Sequence, residues 1–502
     1  MANKRGCLPR LLLLILVIVA LSIAVAPLLP LNPLKPAVES RLSTLLGREV
    51  SVGTLRLSLL GGPYLVINKM VAKEDPAFGE GNIIEAEKVH ANVALLPLLL
   101  QRQVSIDGIR IESPVLKFIK NDQGVWSWAT LGQAGAAPGS SSRVSGRSVQ
   151  SALLGLVIQV RPEAAIDKVE IENASVRLVD MSGAQPPESL YRNVSLRAEM
   201  GSPPEGAAPS SRKARGELRA QSEEGEGAEL LKAELPFDLV VEHGAAKALT
   251  ARGSLGPGHL ESKNFAASSF KSNIDLKGSV ATLDQMEISL YEGAVRGHMQ
   301  VDLATQQFSA EGQVENLSLE RIGSRDAQGA GQITGHVNAQ FKLQGLMRSF
   351  DQALPTINGS GHMTSNDLFI ASVNLSEQVA RSLKIDQIGD MNPGTALGSV
   401  ESDFQIEQGV IRTSNLRIQQ MDGLGDASAR DGWFQTVAPP SLSYSATVLL
   451  SPEATAKVKS SSPLFGVAIS ILESNSRVAV PVNITGEVRS PQVHVDVYRI
   501  FQ

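Results

Sequence analysis

The chain has 502 residues, 43% of them hydrophobic, 19% charged and 4% aromatic, with a formal net charge of −5 and one cysteine. That length allows about two to four ordinary domains or one long one, and the apolar fraction excludes wholesale disorder. The lone thiol, Cys7, excludes an intramolecular disulfide framework, a cysteine zinc cluster and a CxxC redox pair. The acidic balance argues against nucleic acid, which asks for basic stripes. With 13 Phe, 5 Tyr and 3 Trp, the apolar surface has to be mainly Leu, Ile, Val and Ala.

Residues 1–10 carry Lys4, Arg5 and Arg10 and no acid, and the next charge is Lys35. From Leu11 to Leu29, fourteen of nineteen residues are Leu, Ile or Val. At the bilayer centre these contribute roughly −4 to −8 kcal/mol to insertion. The rival reading is a cleaved signal peptide ending at Ala24-Val25-Ala26, but the next residue is Pro27 and the apolar run is longer than a usual h-region. The expectation is a cytoplasmic basic end (1–10), one transmembrane anchor (11–31) and everything after residue 35 outside the cytoplasm.

Leu34–Leu46 has the spacing of a short amphipathic helix, with Val38, Leu42, Leu45 and Leu46 on one face and Gly47 as a stop. Strand patterns follow. In Glu49–Leu60, Leu55, Leu57 and Leu59 alternate with Thr54, Arg56 and Ser58. Similar alternation recurs at Ile84–Leu95, Val104–Ile111, Leu116–Ile119, Ile166–Ile171, Ser175–Val179 and Tyr191–Ala198. It returns from Ile274 to Leu343 and again from Val400 to Val497, which describes a mainly β, extended antiparallel structure. Short helices are expected at Ser376–Leu383 and from Pro452, and Leu464–Leu472 is apolar all round.

One internal similarity stands out. Ile106–Phe118 (IDGIRIESPVLKF) and Ile166–Leu178 (IDKVEIENASVRL) align without gaps, sixty residues apart. Gly132–Ser148 and Gly201–Arg212 have linker composition, and Glu223–Glu229 suits a hairpin tip. The organisation expected is an amino-terminal β region (32–131), a linker (132–148), a middle β region (149–280) with a flexible insertion near 201–212, and a carboxy-terminal β region (281–502).

Motifs that carry chemistry are missing. Gly-Lys never occurs, so there is no Walker A loop, and HExxH and the nucleophile elbow are absent. The seven histidines lie in separate segments, and Ser268-Ser269-Phe270-Lys271 fits SxxK only inside a strand pattern. Asp107 and Asp167, which recur in the repeat, suit turns. Asn-x-Ser/Thr occurs at Asn173, Asn193, Asn316, Asn374 and Asn483; in a bacterial envelope these sequences would carry no meaning. No catalytic residue, cofactor or metal site is expected, and the chain reads as a non-enzyme.

What remains is architecture. Alternating strands give a sheet with one aliphatic face, which water penalises at about 25 cal/mol per Å². A second sheet can cover it as a sandwich, which alternation by itself favours, or the sheet can curl into a trough that shelters acyl chains.

The order of segments resembles the AsmA family of Gram-negative envelope proteins. The likeness rests on the basic end, the apolar span, Leu45–Gly79, Ile84–Leu100 and Val104–Trp128, and later on Leu290–Val301, Glu407–Met421 and Val480–Val497. It covers about 1–131 and 280–497 and is weak between. The resemblance implies an inner-membrane anchor with a periplasmic taco-like β-groove, phospholipid acyl chains and the inner membrane as partners, and a part in lipid transport and outer-membrane biogenesis. Leu55, Leu57 and Leu59 are then candidate groove-lining residues, with the helix at 34–46 at the bilayer surface. The alternative is an envelope scaffold that assists outer-membrane protein assembly, with assembly components as partners and no lipid cargo.

Overall fold

The computed structural model describes residues 31, 35–58, 64–93, 103–104, 106–122, 125–131, 159–160, 167–181, 188–202, 205, 211–225, 228–243, 249–262, 265–323, 333–347, 353–371, 373–383, 393–421, 423–435, 440–461, 477–487 and 491–495. The expected anchor at 11–31, the linker at 132–148, Leu59 and the apolar stretch Leu464–Leu472 lie outside them, apart from Leu31. Among the described residues no helix is long and apolar enough to cross a membrane. The chain divides into two compact units, one within residues 1–263 and 276–279, the other within 264–275 and 280–502.

The first unit opens with α1 (Lys35–Leu46), then β1 (Val50–Ser58), β2 (Tyr64–Lys73), β3 (Asn82–Val93), β4 (Gln103–Val104), β5 (Ile106–Glu112) and β6 (Val115–Lys120). It continues with β7 (Gln159–Val160), β8 (Lys168–Asp180), β9 (Glu188–Gly201), β10 (Ser211–Ser222), β11 (Leu231–His243) and β12 (Leu249–Ser262). β1–β2–β3 form an antiparallel meander, and β8 through β12 form another. Between them β5 and β6 share one position in the sheet, both pairing β3 on one side and β8 on the other.

The sheet is mainly antiparallel, as expected, with one exception in this unit's main sheet: β5 and β6 run parallel to β8. Every pair of β5 or β6 with β8 is offset by sixty residues, from Gly108↔Lys168 to Glu112↔Glu172 and from Val115↔Ser175 to Lys120↔Asp180, and β4 pairs with β7 in parallel as well. The two similar segments therefore lie side by side in register, with Ile111 beside Ile171. Parallel pairing needs a long crossover, which the intervening segment is long enough to supply. The Asp167 amide donates to the Asp107 carbonyl at 2.7 Å, and Lys120, its side chain 3% exposed, meets Asp180 at 3.3 Å.

Strands β10 and β12 give a weak alternation for a physical reason. Their inward positions carry small residues (Ala214, Gly216, Ala220, Gly253), and β12 holds Pro257 within it, whereas β11 alternates Leu235, Phe237 and Leu239 with Glu234, Pro236 and Asp238. β10 also begins at Ser211, inside the stretch read as an insertion, where Arg212 is fixed by Asp167 at 2.7 Å.

β13 (Phe265–Lys277) lies across the division of the units. The second unit runs β14 (Val280–Leu290), β15 (Gly293–Asp302), β16 (Gln307–Ser318), α2 (Leu319–Gly323), β17 (Ile333–Thr334), β18 (His336–Leu346), β19 (Asn358–Ser365) and β20 (Phe369–Ile370). Then come α3 (Leu375–Leu383), β21 (Thr395–Ala396), β22 (Ser399–Glu407), β23 (Val410–Thr413), β24 (Leu416–Met421), β25 (Gly425–Gln435), β26 (Ser441–Leu450), α4 (Pro452–Ser461), β27 (Ala479–Glu487) and β28 (Gln492–Val495). From β14 to β28 the main pairings are antiparallel, with β17, β20 and β21 as a small separate sheet.

Each unit has one packed core. In the first, Leu31, Val38, Leu42 and Leu46 pack on Val50, Val52, Leu55, Ile67, Met70 and Val89. In the second, Val379 of α3 and Val458 of α4 share a cluster with Leu424, Leu450, Val480 and Val482.

The asparagines of the Asn-x-Ser/Thr sequences also find structural reasons. Asn173, Asn193 and Asn316 have φ of 53°, 54° and 51°, at or beside shifts of strand register. Asparagine tolerates this left-handed conformation better than most residues, and the Asn173 amide is satisfied by Ser195 Oγ at 3.1 Å. Asn374 caps α3, accepting from the Glu377 amide at 2.8 Å.

Candidate functional site: an aliphatic sheet face

Directly paired residues in a sheet point to the same side, so the register can be followed across the strands. In the first unit one row runs Leu55, Ile67, Val89, Ile111, Ile171, Leu196, Leu218 and Leu235. The row beside it runs Leu57, Leu65, Ala91, Ile109, Val169, Ala198, Gly216, Phe237 and Leu255. Neither row contains a charge. The row between them, facing the other way, runs Arg56, Val66, His90, Arg110, Glu170, Arg197 and Glu217.

That opposite face is held by ion pairs. Arg110 Nε lies 2.7 Å from Glu170 Oε2, Arg215 lies 2.8 Å from Asp238, and Arg219 lies 3.1 Å from Glu234. Burial opposes ionisation of Glu170, but hydrogen bonds from Lys168 and Arg110 outweigh it and hold its carboxyl below the usual range. These partly exposed pairs add little stability singly, yet they fix which face meets water.

Burial along the aliphatic rows is graded. Leu55, Ile67 and Val89 are 3–5% exposed, inside the cluster against which α1, Ile109, Ile111 and Phe118 pack. From Ile111 and Ile109 outward to Leu235 and Leu255 the side chains are only half-buried. Covering such a half-buried aliphatic chain is worth about 1 kcal/mol. Of the residues expected to line a groove, Leu55 sits inside the packed cluster under α1 and Leu57 is half-buried beside it. The accessible continuation of their rows, at Val169, Ile171, Leu196, Leu218 and Leu235, went unseen in sequence, because row membership depends on long-range register.

The second unit repeats the pattern. Leu283, Met299, Ala310, Leu343, Gly359, Ile406, Ile411, Phe434 and Leu442 form one half-buried row. Ile288, Val295, Val314, Ala339 and Met363 form another. Its two longer helices pack elsewhere, α3 near β28 and α4 near β26.

The few aromatic rings are placed in a particular way. Phe237, Phe308, Phe404 and Tyr444 are each paired with a glycine on the next strand: Gly216, Gly345, Gly361 and Gly432. A methyl group at Gly216 would lie 2.6 Å from Phe237 Cζ, and one at Gly361 or Gly432 would strike the Phe404 or Tyr444 ring. The rings therefore lie across the neighbouring strand rather than standing on the face.

An open concavity of about 820 Å³ crosses β15, β16, β18, β19 and β22 and is lined by Arg296, His298, Glu311, Lys342, His362, Asp403 and their neighbours. Its charges are largely paired: Lys342 to Glu311 at 2.9 Å, His362 to Asp403 at 2.7 Å, and Arg296 to Glu315. No group of three or more metal-ligating side chains occurs among the described residues. Ser268 and Lys271 lie in β13, where Ser268 donates to the Ser289 carbonyl and Lys271 pairs with Glu287 at 2.9 Å.

The sheet of the first unit is thus two-faced, with charged side chains on one side and aliphatic ones on the other. Residues 6–196 match the AsmA family model. The match extends past residue 131 through the crossover and into β9, and the likeness of residues 280–497 lies outside it. Searches of curated proteins and of solved structures give no match.

Proposed function

We propose that this is a lipid-handling protein of the Gram-negative envelope, whose aliphatic sheet faces shelter phospholipid acyl chains in the periplasm. In this reading residues 11–31 anchor it in the inner membrane with the amino terminus in the cytoplasm. The protein contributes to phospholipid traffic and outer-membrane biogenesis without performing catalysis. The observation that carries the proposal is the uncharged row from Ile111 to Leu235, half-buried and continuous over β5, β8, β9, β10 and β11. A hydrocarbon chain laid on it would exchange water-exposed apolar surface on both partners, the same chemistry by which α1 covers the start of the row. The match to the AsmA family model supports an envelope setting.

The test is purification of the full chain in mild detergent followed by mass spectrometry of bound phospholipid. Leu218→Glu, on the aliphatic face, is expected to reduce bound lipid at least tenfold per folded protein, while Arg219→Gln, on the opposite face of the same strand, leaves it unchanged. A wild-type chain that carries no phospholipid refutes the proposal. Equal loading of both variants refutes this face as the site and favours the scaffold reading.

A further inference from the structure

α1 is attached to the sheet in two distinct ways. Its aliphatic side chains Val38, Leu42 and Leu46 lie against the beginning of the rows described above. Its polar side chains reach the edge of the sheet: Glu39 Oε1 accepts from the Val52 amide at 2.8 Å, and Ser43 Oγ accepts from the Val50 amide at 2.9 Å. Among the described residues β1 pairs only with β2, and these two amides lie on its other edge. The helix thus covers the end of the aliphatic rows and also satisfies the edge strand that bounds them.

This helix is built to stay and also to leave. About two turns of aliphatic contact is the kind of surface an acyl chain reproduces, whereas the hydrogen bonds to Val50 and Val52 are specific to the helix. Water can replace those two bonds at modest net cost. Resting on the lipid-handling reading, we propose that Glu39 and Ser43 are positioning residues of an entry gate. They hold α1 on β1, against the cluster that contains Leu55, and an incoming phospholipid acyl chain takes the place of Val38, Leu42 and Leu46 there. Release of α1 bares the β1 edge at the same time, so the gate has two states, helix-covered and chain-covered, with the same apolar surface buried in each.

The experiment reconstitutes the full chain into vesicles of phosphatidylethanolamine and phosphatidylglycerol (3:1) containing a trace of fluorescent phosphatidylethanolamine. Both the rate and the final amount of lipid taken up by the protein are measured. Glu39→Ala/Ser43→Ala is expected to load about tenfold faster than wild type and to reach the same final amount, with Glu39→Gln, which keeps an acceptor oxygen, close to wild type. Hydrogen exchange supplies the second readout: in the wild type, the Val50 and Val52 amides should lose protection when lipid is bound, while β2 and β3 keep theirs. Unchanged or slower loading by the double variant overturns the gate, as does full protection of Val50 and Val52 in the lipid-bound state. A wild type that takes up no lipid overturns the lipid-handling reading itself, a result distinct from normal uptake with an indifferent double variant.

Discussion

Arg48 offers a sharp test of how the first unit is held together. It follows α1 directly, is 7% exposed, and reaches across 82 residues to Thr130 Oγ1 at 2.5 Å and 79 residues to the Ser127 carbonyl at 3.4 Å. Its guanidinium also lies 3.8 Å from Glu74 Oε1 and 3.6 Å from Asp75 Oδ2. Glu74 is itself 7% exposed, and burial raises its pKa above the usual 4.5 despite the Asp75 amide, Ser127 and Arg48, which pull it down. Arg48→Met keeps the aliphatic stem and deletes the donors, leaving Glu74 buried without its cation. Breaking a buried pair from one side costs about 3–5 kcal/mol, and because Glu74 can take up a proton the lower end, about 3 kcal/mol, is expected.

The pH dependence has a definite sign. A carboxyl whose folded pKa is raised binds its proton more tightly in the folded state, so stability falls as pH rises from 4.5 through the folded value and then levels off. Removing Arg48 moves that folded value further up, so the deficit of Arg48→Met is larger at pH 7 than at pH 5. Adding Glu74→Gln should recover most of the loss. Urea unfolding of the full chain in mild detergent provides the assay, in a Trp433→Phe background, so that emission reports Trp126 and Trp128. These two rings stack at 4.4 Å on the same segment that Arg48 holds. A loss below about 1 kcal/mol, or no recovery in the double variant, refutes the reasoning.

Two further outcomes test other features. Asn173→Val should destabilise the first unit by about 1–2 kcal/mol, because a β-branched residue resists the φ of 53° at that position, whereas Asn173→Gly should be close to neutral in the same unfolding assay. His336 Nδ1 lies 2.6 Å from Asp367 Oδ2, and that hydrogen bond raises the histidine pKa above 6.5 and lowers that of the aspartate. The contribution of the pair is therefore fully present between pH 3.8 and 6.5, lost as pH rises through the folded value of the histidine and again as it falls through that of the aspartate. NMR titration should show the His336 pKa falling toward its ordinary value in Asp367→Asn, and an unchanged pKa would refute the assignment.

Much of the local structure is legible in the residues. Val38, Leu42 and Leu46 mark α1, and the alternation of Leu55 and Leu57 with Thr54, Arg56 and Ser58 marks β1, because these signals are read within a few residues. β10 and β12 are poorly legible, since Ala and Gly at their inward positions weaken the alternation, whereas β11 alternates Leu235, Phe237 and Leu239 with Glu234, Pro236 and Asp238. The site is legible only in part: Leu55 and Leu57 belong to the right rows, yet α1 covers Leu55, and the open continuation at Ile171, Leu196 and Leu218 is assembled from strands far apart in the chain.

The scarcity of aromatic residues and the alternation of aliphatic with charged side chains belong to the sequence by itself. They determine a β protein with one face of Leu, Ile, Val and Ala, and the period of two in a strand makes that outcome local. The likeness between 106–118 and 166–178 is also in the sequence, but their lying side by side, parallel and in register, is decided by pairing across the crossover. Tertiary structure alone sets which part of the aliphatic face α1 seals, which part stays half-open, and that Phe237, Phe404 and Tyr444 lie over glycines. The physical reason is the same in each case. Direction along a strand is fixed by covalent neighbours, whereas a row across a sheet exists only once the register of many strands has been chosen together.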